Sequence, residues 1–181
     1  MSSRGYVLVT YLAVLLVAVL ACIPVTPRLI WNASASVPVG LYVLHPGRHP
    51  DVGDLVAVRP PEPLARFLAE RHYLPLDTPL MKRVAARPGQ EVCRDDRTVT
   101  VDGVSLGHAL DRDRRGRALP VWQGCRRLRD GEVFLMNTAV PDSLDGRYFG
   151  ALPAAAVIGT VMPLYTDEAG DGRFVWRAAT R

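Results

Sequence analysis

The 181-residue sequence predicts a mainly β protein with one N-terminal transmembrane helix and one short helix. Three observations predict it. A single uncharged apolar run, Tyr6 to Val25, has the length of a bilayer span. The rest breaks into short apolar runs separated by Gly, Pro, Asn and Asp, the pattern of strands joined by turns. One stretch, Pro63–Tyr73, places Leu64, Phe67 and Leu68 at helical spacing behind a proline. Hydrophobic residues make up 49% and charged residues 22%, too apolar for a disordered chain.

The elements follow in order. Twenty residues of helix cover about 30 Å, the thickness of a bilayer core. Arg4 precedes the run and Arg28 follows it, and the positive-inside rule favours a cytoplasmic N-terminus. Pro24 and Pro27 mark the expected helix exit. The domain boundaries are therefore 1–27 for a membrane anchor and 28–181 for an extracytoplasmic domain. A retained signal anchor is favoured. A cleaved signal peptide lacks a convincing A-x-A site. A lipoprotein signal would use Cys22, but the apolar run continues past it. Each alternative leaves the remainder outside the cytoplasm, where disulfides persist. Cys93 and Cys125 would then bridge, closing a loop of about 33 residues and stabilising by roughly 3–4 kcal/mol.

Expected strands are Gly40–Leu44, Leu55–Arg59, Leu80–Ala86, Glu91–Cys93, Thr98–Val101, Val104–Leu106, Glu132–Met136, Val157–Pro163 and Phe174–Arg177. Val101-Asp102-Gly103-Val104 signals a two-residue hairpin, since Asp-Gly suits a type I′ turn. Asp111–Arg129 contains seven Arg and reads as an exposed, solvated loop on a long hairpin. Contact with anionic lipid is the functional alternative. Nucleic acid is not expected as a partner: the net charge is only +4, and Trp122 is the one aromatic near these arginines.

Basic residues number 22, of which one alone, Lys82, is lysine. Arg cannot usefully lose its proton near neutral pH, whereas Lys can when its surroundings are adjusted. Lys82 sits in the apolar strand Leu80–Ala86. Burial there would push its pKa from about 10.4 towards 7 and let the amine accept a proton from a Ser hydroxyl; the alternative is a strand-end Lys whose amine snorkels to solvent. Two serines, Ser34 and Ser36, flank Ala35 just after the membrane exit, and Pro38 and Gly40 constrain the backbone behind them; on these residues alone the segment reads as a polar linker leading to a strand, with a rigid turn that exposes Ser36 as the functional alternative. Two readings of the segment around Ser143 stay open: Ser143 orients the Lys82 amine while Asp145 and Arg147 pair and fix their loop, or the segment is a turn with a surface ion pair worth about 0–1 kcal/mol. No G-x-S-x-G elbow occurs, and the four His read as surface residues. No Cys or His grouping has metal-ligand spacing, so no metal or cofactor is expected.

Taken in order, these blocks resemble the type I signal (leader) peptidase family. They are Ser34-Ala35-Ser36-Val37-Pro38-Val39-Gly40-Leu41-Tyr42, Gly53-Asp54-Leu55-Val56, Lys82-Arg83-Val84 with Pro88-Gly89, and Ser143-Leu144-Asp145-Gly146-Arg147-Tyr148-Phe149-Gly150. The match covers about Asn32 to Tyr165. The first and last blocks look like the TraF branch, peptidases of conjugative transfer systems. The usual G-D-N-R lead-in is replaced by Asn137-Thr138-Ala139-Val140-Pro141, as that branch tends to do.

The resemblance implies Ser36 as nucleophile and Lys82 as general base. It implies Ser34 as a contributor to the oxyanion hole, Ser143 as the orienting hydroxyl, and Asp145 with Arg147 as a supporting ion pair. It also implies a β-rich catalytic domain on the periplasmic side of a bacterial inner membrane. The expected substrate is an exported precursor, and pilin maturation in a conjugative system is the case the TraF branch suggests. The expected partners are thus a precursor protein and membrane lipid. The alternative is a non-catalytic membrane-anchored β-domain assisting pilus or secretion assembly, which would have no use for Ser36, Lys82 and Ser143 together.

Overall fold

The computed structural model describes residues 3–22, 28–47 and 49–179. Helix α1, Ser3–Cys22, exposes apolar side chains on every side, from Tyr6 and Val7 to Val17 and Val19. The expected helix exit at Pro24 and Pro27 lies outside the described residues. Among the described residues no helix is long and apolar enough to cross a membrane. A spanning role therefore rests on the sequence run, which extends beyond the described helix.

Beyond α1 the chain is mainly β. The larger sheet has the order β1 (Leu29–Asn32), β2 (Val39–Pro46), β11 (Val157–Asp167), β3 (Leu55–Val58), β4 (Leu80–Ala86), β9 (Glu132–Leu135) and β10 (Leu152–Pro153). A short β12 (Val175–Trp176) also pairs with β11. The central strands bury both faces, as the unbroken burial of Leu55, Val56, Ala57 and Val58 in β3 shows. On one face Leu55, Ala57 and Met81 pack with Tyr42, Leu44 and Val161. On the other, Val56, Val58 and Val84 pack with Val133, Leu135 and Leu152. Each such aliphatic side chain contributes about 1.5–3 kcal/mol when fully buried.

Gly40 in β2 has φ +148°, and a Cβ there would lie 2.3 Å from the Tyr165 carbonyl oxygen in β11. That is why the residue two before Tyr42 is glycine: β2 and β11 approach too closely for a side chain.

The second sheet has the order β7 (Val104–His108), β6 (Thr98–Val101), β5 (Glu91–Asp95) and β8 (Gly124–Arg127). The expected hairpin is present: Val101 pairs with Val104, and Asp102 and Gly103 have φ 47° and 79°, the signs a type I′ turn requires. Cys93 and Cys125 are direct partners of β5 and β8 and form a disulfide.

Three expectations change. The short helix α2 is Glu62–Glu70, not Pro63–Tyr73, because Arg71 caps it and His72 turns to φ 55°. The Asp111–Arg129 segment is largely exposed, as expected, but it is not the loop of a long hairpin. Its end forms β8, which pairs with β5 rather than β7, while Leu119 is buried near Tyr148 and Trp122 packs on Phe134. Strands β1, β8 and β10, and the one-turn helix α3 (Gly146–Phe149), were not expected.

Candidate active site

The turn holding Ser34 and Ser36 is built around one buried side chain, Asn32 at the end of β1. Its Oδ1 accepts from the Ser34 N–H at 3.1 Å and from the Ser34 hydroxyl at 2.9 Å. Its Nδ2 donates to the carbonyls of Ser34, Val37 and Pro38 at 2.8, 3.1 and 3.0 Å. The Tyr42 hydroxyl also donates to the Pro38 carbonyl, at 2.7 Å. The Ser34 N–H and the carbonyls of Ser34, Val37 and Pro38 are thus satisfied from inside, which fixes the turn's shape. Ser34 Oγ lies 3.1 Å from Ser36 Oγ. Because the Ser34 proton is already given to Asn32, Ser36 is the donor in this pair.

Lys82 stands between Leu80 and Val84 on the face of β4 shared with Val56. It is 3% exposed, and its Nζ donates to Ser143 Oγ at 3.0 Å. Burial lowers its pKa from 10.5 to about 8. Asp145 opposes that shift and Arg147 reinforces it, but desolvation is the largest cause. A sizeable fraction of the amine is therefore neutral at mildly alkaline pH, as a proton acceptor requires.

The Asp145–Arg147 pair is buried, not at the surface: the two side chains are 0% and 1% exposed. Arg147 Nε and Nη2 donate to the two carboxylate oxygens at 2.9 and 2.8 Å. Its remaining donors reach the carbonyls of Asn137, Val140 and Pro141 at 3.1, 2.7 and 2.9 Å. Asp145 also caps α3 and accepts the Asn137 N–H at 3.0 Å. A buried ion pair is stable only when its other hydrogen-bonding sites are filled, as they are here. Gly146 follows because a Cβ there would meet the Phe134 ring at 2.6 Å and the Leu135 carbonyl at 2.7 Å.

Ser34, Ser36, Lys82 and Ser143 line one cleft of about 580 Å³. No hydrogen bond joins Ser36 to Lys82 among the described residues; each hydroxyl and the amine has another partner. The disulfide pair Cys93 and Cys125 lies on the second sheet and does not line this cleft. All four His are exposed, as expected, with His72 on the cleft wall.

The family profile described as signal peptidase, peptidase S26, matches residues 3–165. The chain belongs to the peptidase S26 family of signal peptidases. This S26 chain is similar to the plasmid transfer protein TraF of Escherichia coli, with 35% identity over 145 residues, 75% of the chain and 81% of that relative. It is similar also to the conjugal transfer protein TraF of Agrobacterium fabrum (strain C58), with 36% identity over 149 residues, 76% of the chain and 82% of the relative. Among solved structures, a signal peptidase I from Enterococcus faecalis V583 shares 22% identity at a TM-score of 0.38, covering 62% of this chain and 97% of that one.

Two residues of the S26 chain's site escaped the sequence reading. Asn32 is one. Its signal was an Asn two residues before a Ser in a turn, where a side chain substitutes for backbone bonding. Asn137 is the other. Its Nδ2 donates to the Ser36 carbonyl at 2.7 Å and lies 3.3 Å from the Met81 carbonyl, and its Oδ1 accepts the Arg83 N–H at 2.9 Å. One side chain thus ties the Ser36 turn to the strand of Lys82, and no local pattern announces it.

Proposed function

We propose that the chain is a membrane-anchored Ser-Lys endopeptidase that cleaves leader or pro-segments from exported precursors. The observation that carries this reading is Lys82, buried, shifted to a pKa of about 8, and opening on the same cleft as Ser36. In the reaction, Ser36 turns its proton from Ser34 to neutral Lys82, a catalytic hydrogen bond of the kind that tightens when substrate binds. Ser36 Oγ bonds to the scissile carbonyl carbon. The Ser36 N–H donates to no described residue and, with the Ser34 hydroxyl swung off Asn32, meets the developing oxyanion. Ser143 holds the amine in place. Protonated Lys82 gives its proton to the leaving amine as the C–N bond breaks. Water then releases the acyl group, and a substrate amine entering instead would form a new peptide bond. Asp145 and Arg147 support the loop but touch no reacting atom.

The names of the TraF relatives point to conjugative transfer, so a pilin-like precursor is the proposed substrate. Full-length chain in detergent, incubated with such a precursor, is expected to cleave it, and Ser36→Ala is expected to leave it intact. Full processing by Ser36→Ala would overturn the assignment.

The proposed location is the inner membrane, with residues 28–181 outside the cytoplasm. The uncharged sequence from Gly5 to Pro27 supports a span. The Cys93–Cys125 disulfide supports an oxidising compartment. Trp31, close behind the anchor, stacks on Phe174 at 6.1 Å, and Tyr165 packs on Phe174 and Trp176 at 5.1 and 4.6 Å. Trp31 and Trp176 are exposed, and aromatics so grouped suit the lipid interface. A compartment-sensitive reporter fused after Arg181 should be active only outside the cytoplasm; activity inside would reverse the orientation.

A further inference from the structure

The cleft around Ser36 and Lys82 is chemically lopsided. Near these residues its walls are apolar, with Ile30, Met81 and Leu144. A single loop contributes three arginines, Arg114, Arg115 and Arg117, to the same cleft wall. The acids on the cleft wall are Asp113 and Asp142, and each is already matched. Arg117 Nε donates to Asp113 Oδ2 at 2.7 Å, and Arg114 Nε lies 2.5 Å from Asp142 Oδ2. Arg115 is exposed, and its guanidinium meets no carboxylate or carbonyl among the described residues. The arginine loop therefore carries one uncompensated guanidinium on the cleft wall.

Arg115 also projects from a braced loop. Asp113 Oδ1 accepts the backbone N–H groups of Arg115 and Arg117 at 2.9 and 2.8 Å, and the Tyr73 hydroxyl donates to Asp113. Arg71 donates to the Ala118 carbonyl at 2.6 Å, and the Arg117 guanidinium lies 4.7 Å from the Tyr73 ring centre. Bracing of this kind lowers the ordering cost of a contact made by Arg115.

We infer that this loop binds a carboxylate of the extended peptide that passes Ser36 in the same cleft, with Arg115 as the contacting group. The inference rests on the peptidase reading and adds a selectivity for an acidic group. That group is either an Asp or Glu side chain or a free C-terminal carboxylate. Anionic lipid headgroups carry the same sign of charge, but the position of Arg115 on the cleft wall favours a peptide.

The test measures binding to full-length Ser36→Ala chain in neutral detergent. The probes are short Ala-rich peptides in which one Glu, or its neutral counterpart Gln, steps through each position. Each peptide is made with a free and an amidated C-terminus. One Glu position, or the free C-terminus, should bind roughly fivefold tighter than its neutral counterpart, the upper end for an exposed ion pair. The preference should shrink at high salt. It should vanish when Arg115→Gln is added and persist with Arg129→Gln, which is exposed and off the cleft wall. Equal binding of all charged and neutral pairs would overturn the inference, as would a preference that survives Arg115→Gln. So would an Arg115→Gln effect confined to phosphatidylglycerol vesicles. Cleavage by the wild-type chain separates the two readings. Equal binding with intact cleavage removes the carboxylate contact alone. A Glu preference without any cleavage supports the contact and removes the Ser36 chemistry.

Discussion

Exchanging Lys82 for Arg is expected to abolish precursor cleavage, a fall of about a thousandfold, within the range lost when a general base is removed. Arg keeps the positive charge but stays protonated at any working pH. In the wild type, kcat/KM should rise about tenfold per pH unit below pH 8 and level off above it, as the Lys82 amine loses its proton. Undiminished cleavage by Lys82→Arg, or a flat pH profile through this range, would remove Lys82 from the reaction.

The same group sets a stability signature. The folded-state pKa of Lys82 is about 8, against 10.5 for the ordinary side chain, so between these values the folded chain binds fewer protons than the unfolded chain. The stabilisation from a neutral amine is complete above pH 10.5 and is lost as pH falls through 8. Lys82→Met has no charge to bury. It should exceed the wild type in stability by up to about 3 kcal/mol below pH 8, with the gap closing towards pH 10.5. Urea denaturation at several pH values reads this directly, and it separates a misfolded variant from a chemically inert one.

Breaking the Asp145–Arg147 pair should have the largest effect on stability. Arg147→Met leaves the buried Asp145 carboxylate uncompensated and removes the donors that hold the carbonyls of Asn137, Val140 and Pro141. The expected cost is about 3–5 kcal/mol. For a domain of this size that lowers Tm by roughly 10 °C. Activity should fall as well, because the released 137–141 segment carries the Asn137 amide that anchors the Ser36 turn. A Tm within about 2 °C of the wild type would show that the pair does not hold the loop.

Much of this was written locally in the chain. The strands Leu80–Ala86 and Thr98–Val101 have the boundaries expected from their apolar alternation. The Asp102-Gly103 turn follows from backbone preference alone. Lys82 and Ser143 are joined as expected, because a buried amine needs an acceptor. What escaped depends on partners far away in sequence. Gly124–Arg127 has four exposed residues and no apolar alternation; it is a strand because β5 offers a free edge and Cys125 meets Cys93. Leu29–Asn32 is too short to stand out beside the apolar anchor. Asn137 reads as an ordinary loop residue, since its value lies in a carbonyl 101 positions away. The Asp145–Arg147 spacing suits an exposed pair equally well; burial was decided by tertiary packing.

The order of strands in the larger sheet has a temporal consequence. The Ser36 turn lies between β1 and β2, and Lys82 lies on β4, yet β2 and β3 are not neighbours. They are joined through β11, Val157–Asp167, the last long strand of the chain. On the peptidase reading, a nascent polypeptide carries Ser36 first and Lys82 next, and the strand that joins their parts of the sheet follows only with β11. Asn137, which ties the Ser36 turn to β4, also comes after both. The proposed pair is therefore assembled by residues made after both of its members.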